Sequence, residues 1–201
     1  MKTNKVVAGA LVVLSSVVSV GALASTDAQN TDIRNGGSIS TGSDPTADSP
    51  TMSVTSASSS RAEFRFKTFT SGSHSLEGKM KLVKLSGGNT SVAQTFSETG
   101  GNPISQLAID SGGFFYEVQR STGDTSSSRS CGLPKLSVGS TATIKLVYDV
   151  AKGQSTSYVN GSKCKTITKA GWNKLYTKIG AYQTASGTGS VTVQWTSFTV
   201  K

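Results

Sequence analysis

Tyr176-Thr177-Lys178-Ile179-Gly180-Ala181-Tyr182-Gln183 alternates residue by residue. Ile179 and Ala181 fall on one face, and Tyr176, Lys178, Gly180 and Tyr182 fall on the other. Successive side chains of an extended chain point to opposite sides, so this is a half-buried strand with one apolar face. Its polar face is unusual for one that only meets solvent. Two phenols flank a lysine, and a glycine leaves room for a close approach. Arg61-Ala62-Glu63-Phe64-Arg65-Phe66 has the same character, with Ala62, Phe64 and Phe66 on one face and Arg61, Glu63 and Arg65 on the other. If both polar faces lie in one sheet, they form a basic, hydrogen-bonding surface suited to an anionic polymer.

From Arg61 onward the rest of the chain also reads as strands, and no window holds a helical period. Expected strands lie in Leu76 to Val83, Val92 to Phe96, Ile104 to Ile109, Phe114 to Arg120, Thr143 to Val150, Ser155 to Val159 and from Val191. Gly87-Gly88-Asn89 marks a turn, and Asn160-Gly161 is the strongest hairpin signal. About ten short strands with Gly-rich turns imply an all-β sandwich. Thr122 to Ser130 is polar and reads as a loop at a groove edge.

The N-terminal part differs. Lys2 and Lys5 precede an apolar run from Val6 to Val20, and Ala22-Leu23-Ala24 is a small-residue cleavage site. Residues 1–24 therefore read as a signal peptide, with no membrane span after its removal. Residues 25–50 are polar, carry Asp27, Asp32, Asp44 and Asp48, and read as a disordered acidic linker or pro-segment. The folded domain is expected over 51–201, with a short first strand near Met52 to Val54.

Cys131 and Cys164 fit one disulfide in an exported protein, extracellular or periplasmic. It would close a loop of about 34 residues, a constraint of roughly 3–4 kcal/mol in the chain-entropy model. Two cysteines and the lone His74 do not make a zinc site of the usual spacing, and no metal or other cofactor is expected. The formal charge is +9. Residues 25–60 hold four acids and one base, for −3, whereas residues 61–201 hold 17 basic and 7 acidic side chains, for +10. A domain this basic implies a polyanionic partner. The aromatic-and-basic repeats of nucleic-acid modules are absent, so an acidic polysaccharide is the expected partner, met by a monomer.

Three stretches resemble alginate lyases of polysaccharide lyase family 7. Arg61-Ala62-Glu63-Phe64-Arg65 resembles that family's R-x-E-L-R stretch. Val92-Ala93-Gln94-Thr95-Phe96 sits where the family has Q-I-H. Tyr176 to Gln183 resembles Y-F-K-A-G-x-Y. The three occur in the family's order and the resemblance covers about 61–201. It implies a concanavalin-like β-jelly-roll of two antiparallel sheets whose concave groove binds a polyuronate, and cleavage by β-elimination. It further implies that Arg61 and Gln94 hold the substrate carboxylate, that Tyr182 moves protons, and that Arg65, Glu63, Lys178 and Tyr176 contact substrate. Phe96 stands at the family's histidine position. A non-catalytic carbohydrate-binding module or lectin of the same shape is therefore the alternative. A glycoside hydrolase would need paired carboxylates, which the domain's few acids do not supply.

Overall fold

The computed structural model describes residues 28–41, 49–118, 127–128, 131–184 and 189–201. The expected signal peptide, and most of the Thr122 to Ser130 loop, lie outside them. Among the described residues fourteen strands form: Ala28–Arg34 (β1), Ser38–Ile39 (β2), Thr51–Val54 (β3), Arg61–Phe66 (β4), Ser73–Leu85 (β5), Thr90–Ser97 (β6), Gly100–Ile109 (β7), Phe115–Val118 (β8), Ser127–Ser128 (β9), Thr141–Asp149 (β10), Gln154–Val159 (β11), Ser162–Thr168 (β12), Leu175–Gln183 (β13) and Val191–Val200 (β14). They make two seven-stranded antiparallel sheets. The first runs β1-β4-β13-β6-β7-β8-β9 and the second β12-β11-β10-β5-β14-β3-β2. This is the expected all-β, two-sheet architecture.

The two stretches that alternate most clearly are neighbours in the first sheet. In β4 and β13, Lys178 pairs with Arg65, Gly180 with Glu63 and Tyr182 with Arg61. Their apolar faces point inward. Ala62, Phe64, Phe66, Ile179 and Ala181 are buried with Met80, Leu82, Leu146 and Trp195 of the second sheet. Phe198 closes this core against Phe64 and Phe66, with ring centroids 6.0 and 5.7 Å apart. Burying side chains of this size contributes about 1.5–3 kcal/mol each. The glycine in β13 serves this packing, not a ligand. Gly180 has φ 149°, and a Cβ there would collide with the Ala62 carbonyl and with Met52 Sδ.

Asn160 and Gly161 both have positive φ, 50° and 80°, and join β11 to β12, as the sequence signal requires. Cys131 and Cys164 form the expected disulfide.

The N-terminal segment departs from expectation. Within the expected linker 25–50, residues of β1 pair with β4 and residues of β2 pair with β3. Hydrophobic period could not reveal β1, because it is an edge strand whose large apolar residue, Ile33, stays 41% exposed. Its backbone ladder and one carboxylate attach it instead.

One part of the interior is polar. Thr95 and Ser105 of the first sheet meet Ser155 of the second at 2.8 and 2.9 Å. Beside them Ser157 Oγ donates to Glu117 Oε2 at 2.6 Å. Burial pushes the Glu117 carboxyl up to about 7, although hydrogen bonds from Ser157 and Ser105 and the charge of Lys165 pull it down.

This shift has a pH consequence. Between the ordinary carboxyl range and about 7 the folded chain holds a proton that the unfolded chain has lost, so stability falls as pH rises through that window. The contribution is on the order of 3 kcal/mol. Glu117→Gln should flatten the dependence of the thermal midpoint on pH between 4.5 and 7, roughly, since it removes the titrating group. An unchanged slope would assign the pH dependence to other groups.

Candidate active site

The outward face of the first sheet carries the residues that the sequence singled out. Antiparallel register places Lys178 between Arg65 and Gln94, Tyr176 beside Phe96, and Tyr182 beside Arg61. A cleft of ≈ 400 Å³ opens here, with Asp32, Arg61, Arg65, Phe96, Tyr176 and Lys178 in its lining. A second hollow of ≈ 290 Å³ continues it past Arg65, Phe96 and Tyr176 toward Glu98 and Gly100.

Under the cleft runs a chain of polar contacts across the sheet. Gln106 Nε2 donates to Gln94 Oε1 at 2.7 Å, and Gln94 Nε2 donates to Glu63 Oε1. Lys178 Nζ lies 3.4 Å from Glu63 Oε2 and 3.1 Å from Asp32 Oδ2. Arg61 Nη1 donates to the same Asp32 oxygen at 2.9 Å, and Arg34 Nε donates to Asp32 Oδ1 at 2.6 Å. Glu63 and Gln94 are each 1% exposed. They therefore lie beneath the floor, and Glu63 is not placed to contact substrate as the sequence reading expected. Gln94, the register partner of Lys178, is buried under the same floor, its amide bridging Gln106 and Glu63.

Opposing forces act on the two acids. Burial pushes the Glu63 carboxyl up, and the charges of Lys178 and Arg61 pull against it. Burial also works to raise Asp32, yet the hydrogen bonds and charges of Arg61 and Lys178 win and bring it down to about 2. Asp32 is the site residue that sequence reasoning missed. Its one signal is register: Asp32 pairs with Glu63, so it shares that residue's face of the sheet. Nothing in the composition of residues 25–50 marks it.

Aromatic rings and cations line the cleft. The Arg61 guanidinium lies 4.2 Å from the Tyr182 ring centroid, and that of Arg65 lies 4.0 Å from the Tyr176 centroid. Phe96 and Tyr176 stack with centroids 5.5 Å apart at 10°. Lys178 Nζ stands 5.2 Å from the Phe96 ring. Arg65 is itself paired, to Glu98 Oε1 at 2.7 Å. Burial raises the Tyr176 phenol, which disfavours its anion. Tyr182 sits four residues from Lys178, about 13 Å along the strand, so the phenol beside Arg61 and the one beside Phe96 are separate groups. His74 belongs to β5 in the other sheet, where it stacks on Phe69 at 3.5 Å and contacts the Ser71 carbonyl. It takes no part in the cleft.

A family model described as alginate lyase matches residues 27–201. Solved structures agree in fold. An alginate lyase from Pseudomonas aeruginosa superposes with TM-score 0.59 at 15% identity, covering 78% of this chain and 83% of its own. The marine alginate lyase AlyA1 of the PL7 group from Zobellia galactanivorans gives 0.58 at 18%, covering 76% and 77%. The alginate lyase from a Corynebacterium species gives 0.58 at 17%, covering 76% of each chain. No curated protein matches the sequence.

The ion cluster around Asp32 should be visible in acid. Its lowered carboxyl contributes stability that is present above the ordinary carboxylate range and is lost as pH falls toward about 2. Partial exposure reduces this to about 1–2 kcal/mol. Asp32→Asn should lower stability at neutral pH by that amount and make the acid limb of the unfolding curve shallower between roughly pH 4 and 2. Parallel acid limbs for the two proteins would show that Asp32 does not anchor β1.

Proposed function

The chain belongs to the alginate lyase family, whose model spans residues 27–201, and from that membership we propose that this polysaccharide lyase cleaves a uronate-containing polymer such as alginate by β-elimination. The observation that carries the reading is the Arg61 guanidinium, a cation of the cleft lining, lying against the Tyr182 ring, although Tyr182 itself does not line the cleft.

The chemistry needs three operations. The carboxylate on the sugar's C5 must be partly neutralised, so that the C5 proton becomes acidic. A base must remove that proton, and its electron pair must form the C4–C5 double bond. The C4–O4 bond then breaks, and the departing oxygen takes a proton. In the proposed assignment Arg61 and Lys178 meet the substrate carboxylate, which competes there with Asp32. Tyr182, as its anion, takes the C5 proton and returns it to the leaving oxygen. Glu63 and Gln94 act from beneath by holding Lys178 in place. Arg65, Tyr176 and Phe96 form a cationic and aromatic wall for a neighbouring sugar. The N-terminal apolar run supports secretion, which would bring the enzyme to its polymer.

The reading is tested by incubation with alginate, polyglucuronate and pectate while the ultraviolet absorbance of unsaturated uronyl ends is followed. Tyr182→Phe should lower the rate by about 10²–10⁴-fold and leave polymer binding nearly intact, because only the hydroxyl is lost. Arg61→Ala should damage both binding and rate, since it removes a charged hydrogen bond. Phe96→His should raise the rate if the lack of a histidine there limits turnover. Full activity in Tyr182→Phe with loss in Tyr176→Phe would move the proton transfer to the other phenol. No unsaturated ends from any polyuronate would overturn the assignment.

A further inference from the structure

The excess positive charge of the domain does not lie in the cleft. There Arg34, Arg61 and Lys178 gather around Asp32 and Glu63, and Arg65 is tied to Glu98. The outward face of the second sheet is different. Along β5 the burial alternates, so that Glu77, Lys79 and Lys81 point away from the core while Leu76, Gly78, Met80 and Leu82 point into it. The neighbouring strands add Lys145, which pairs with Tyr158, and Lys163, which pairs with Tyr158 from the other side. Exposed Lys84 extends the row. Five lysines thus stand on this face with Glu77, whose carboxylate lies 3.0 Å from Lys145 Nζ. Asp149, at the end of β10, is occupied by Lys152 at 3.0 Å.

The same face is grooved. A hollow of ≈ 360 Å³ is lined by Glu77, Thr143, Lys145, Val147, Tyr158 and Gly161. A smaller one of ≈ 130 Å³ shares Glu77 and Thr143 with it and reaches Lys79, Ser197 and Thr199. The two join into a shallow track that crosses the strands. The track offers a phenol ring, several hydroxyls and the cations Lys79 and Lys145, with the other lysines of the face outside it, a set that suits a charged sugar chain.

We propose that this outer face of the second sheet is a second, non-catalytic binding surface for an acidic polysaccharide. It would hold the long polymer while the cleft on the opposite sheet cuts. The identity of the polymer rests on the lyase reading above, whereas the basic face does not. Its chemistry differs from that of the cleft in a telling way. The cleft presents Arg34, Arg61 and Arg65, whose planar forks recognise a carboxylate in one geometry. The outer face presents lysines, flexible point charges that hold a polyanion without fixing its register. Such a hold suits a chain that must slide, and it suits a nucleic acid less, because Tyr158 stands without the run of stacking rings that such a ligand engages.

The test uses Lys79→Gln/Lys81→Gln/Lys145→Gln, three exposed or half-exposed changes, in the full chain and also in the Tyr182→Phe background. In the Tyr182→Phe background, affinity electrophoresis in gels containing high-molar-mass sodium alginate measures binding without cleavage. The triple variant should bind about tenfold more weakly, with a smaller dependence on salt, because three exposed ion pairs are lost. Its kcat/KM on short alginate oligomers should be unchanged, since the cleft is intact, while its KM on the long polymer should rise. The Lys→Arg triple should restore binding. Unchanged retention in the Gln triple, in a wild type that cleaves alginate, overturns the second surface and leaves the lyase reading standing. Wild-type retention that the triple loses, without cleavage of any polyuronate, supports the surface and overturns the lyase reading. Tighter binding of double-stranded DNA than of alginate, abolished by the same triple, overturns the polysaccharide as occupant.

Discussion

Glu63 is the constraint on which the first sheet depends. A carboxylate buried to this extent is costly in a low-dielectric interior unless it is paired and hydrogen-bonded. Here four strands supply what it needs. Lys178 of β13 approaches one oxygen, Gln94 of β6 donates to the other, and Arg61 of its own strand stands 4.0 Å away. Gln106 of β7 then holds Gln94 in the one amide orientation that keeps a donor on Glu63. A network of this kind resists slippage, because a one-residue shift would send every partner to the other face of the sheet. Its geometric consequence is the cleft: Lys178 and Arg61 are held at defined positions on its floor.

The same cluster explains how an N-terminal strand with little apolar surface belongs to the fold. β1 lies at the edge of the first sheet, and Asp32 reaches over β4 to both Arg61 and Lys178. Two cations that stood together would repel, and one carboxylate between them removes that repulsion. The arrangement also sets the terms for catalysis. In the proposed reaction an incoming uronate would meet cations that already have a partner, so the groove would offer exchange of one carboxylate for another and not a bare positive field. The outer face of the second sheet holds five lysines against one acid, Glu77, so its positive charge is less locally paired than that of the cleft.

Inside the sandwich the two sheets are joined unevenly. At Phe64, Phe66 and Phe198 the contact is apolar and close-packed. Near β8 and β11 it is a layer of hydroxyls around Glu117. The apolar region gives non-directional stability, while the hydroxyl layer must be satisfied bond by bond and so fixes how one sheet sits on the other.

Alternation in Arg61 to Phe66 and Tyr176 to Gln183 sufficed to establish strands, their inner faces and the shared identity of their polar faces, because side-chain direction in an extended chain is a local property. The Asn160-Gly161 turn was equally local. Depth was not. Arg61, Glu63 and Arg65 look alike along the chain, yet Arg61 and Arg65 line the cleft and Glu63 is sealed beneath it, because burial depends on which strands come to lie alongside. Nothing local in Val92 to Phe96 shows that the Gln94 amide bridges Gln106 and Glu63. Asp32 could not be read at all, since its partner Lys178 stands 146 residues away. Local pattern determines which way a side chain points, and only the tertiary structure decides what it meets there.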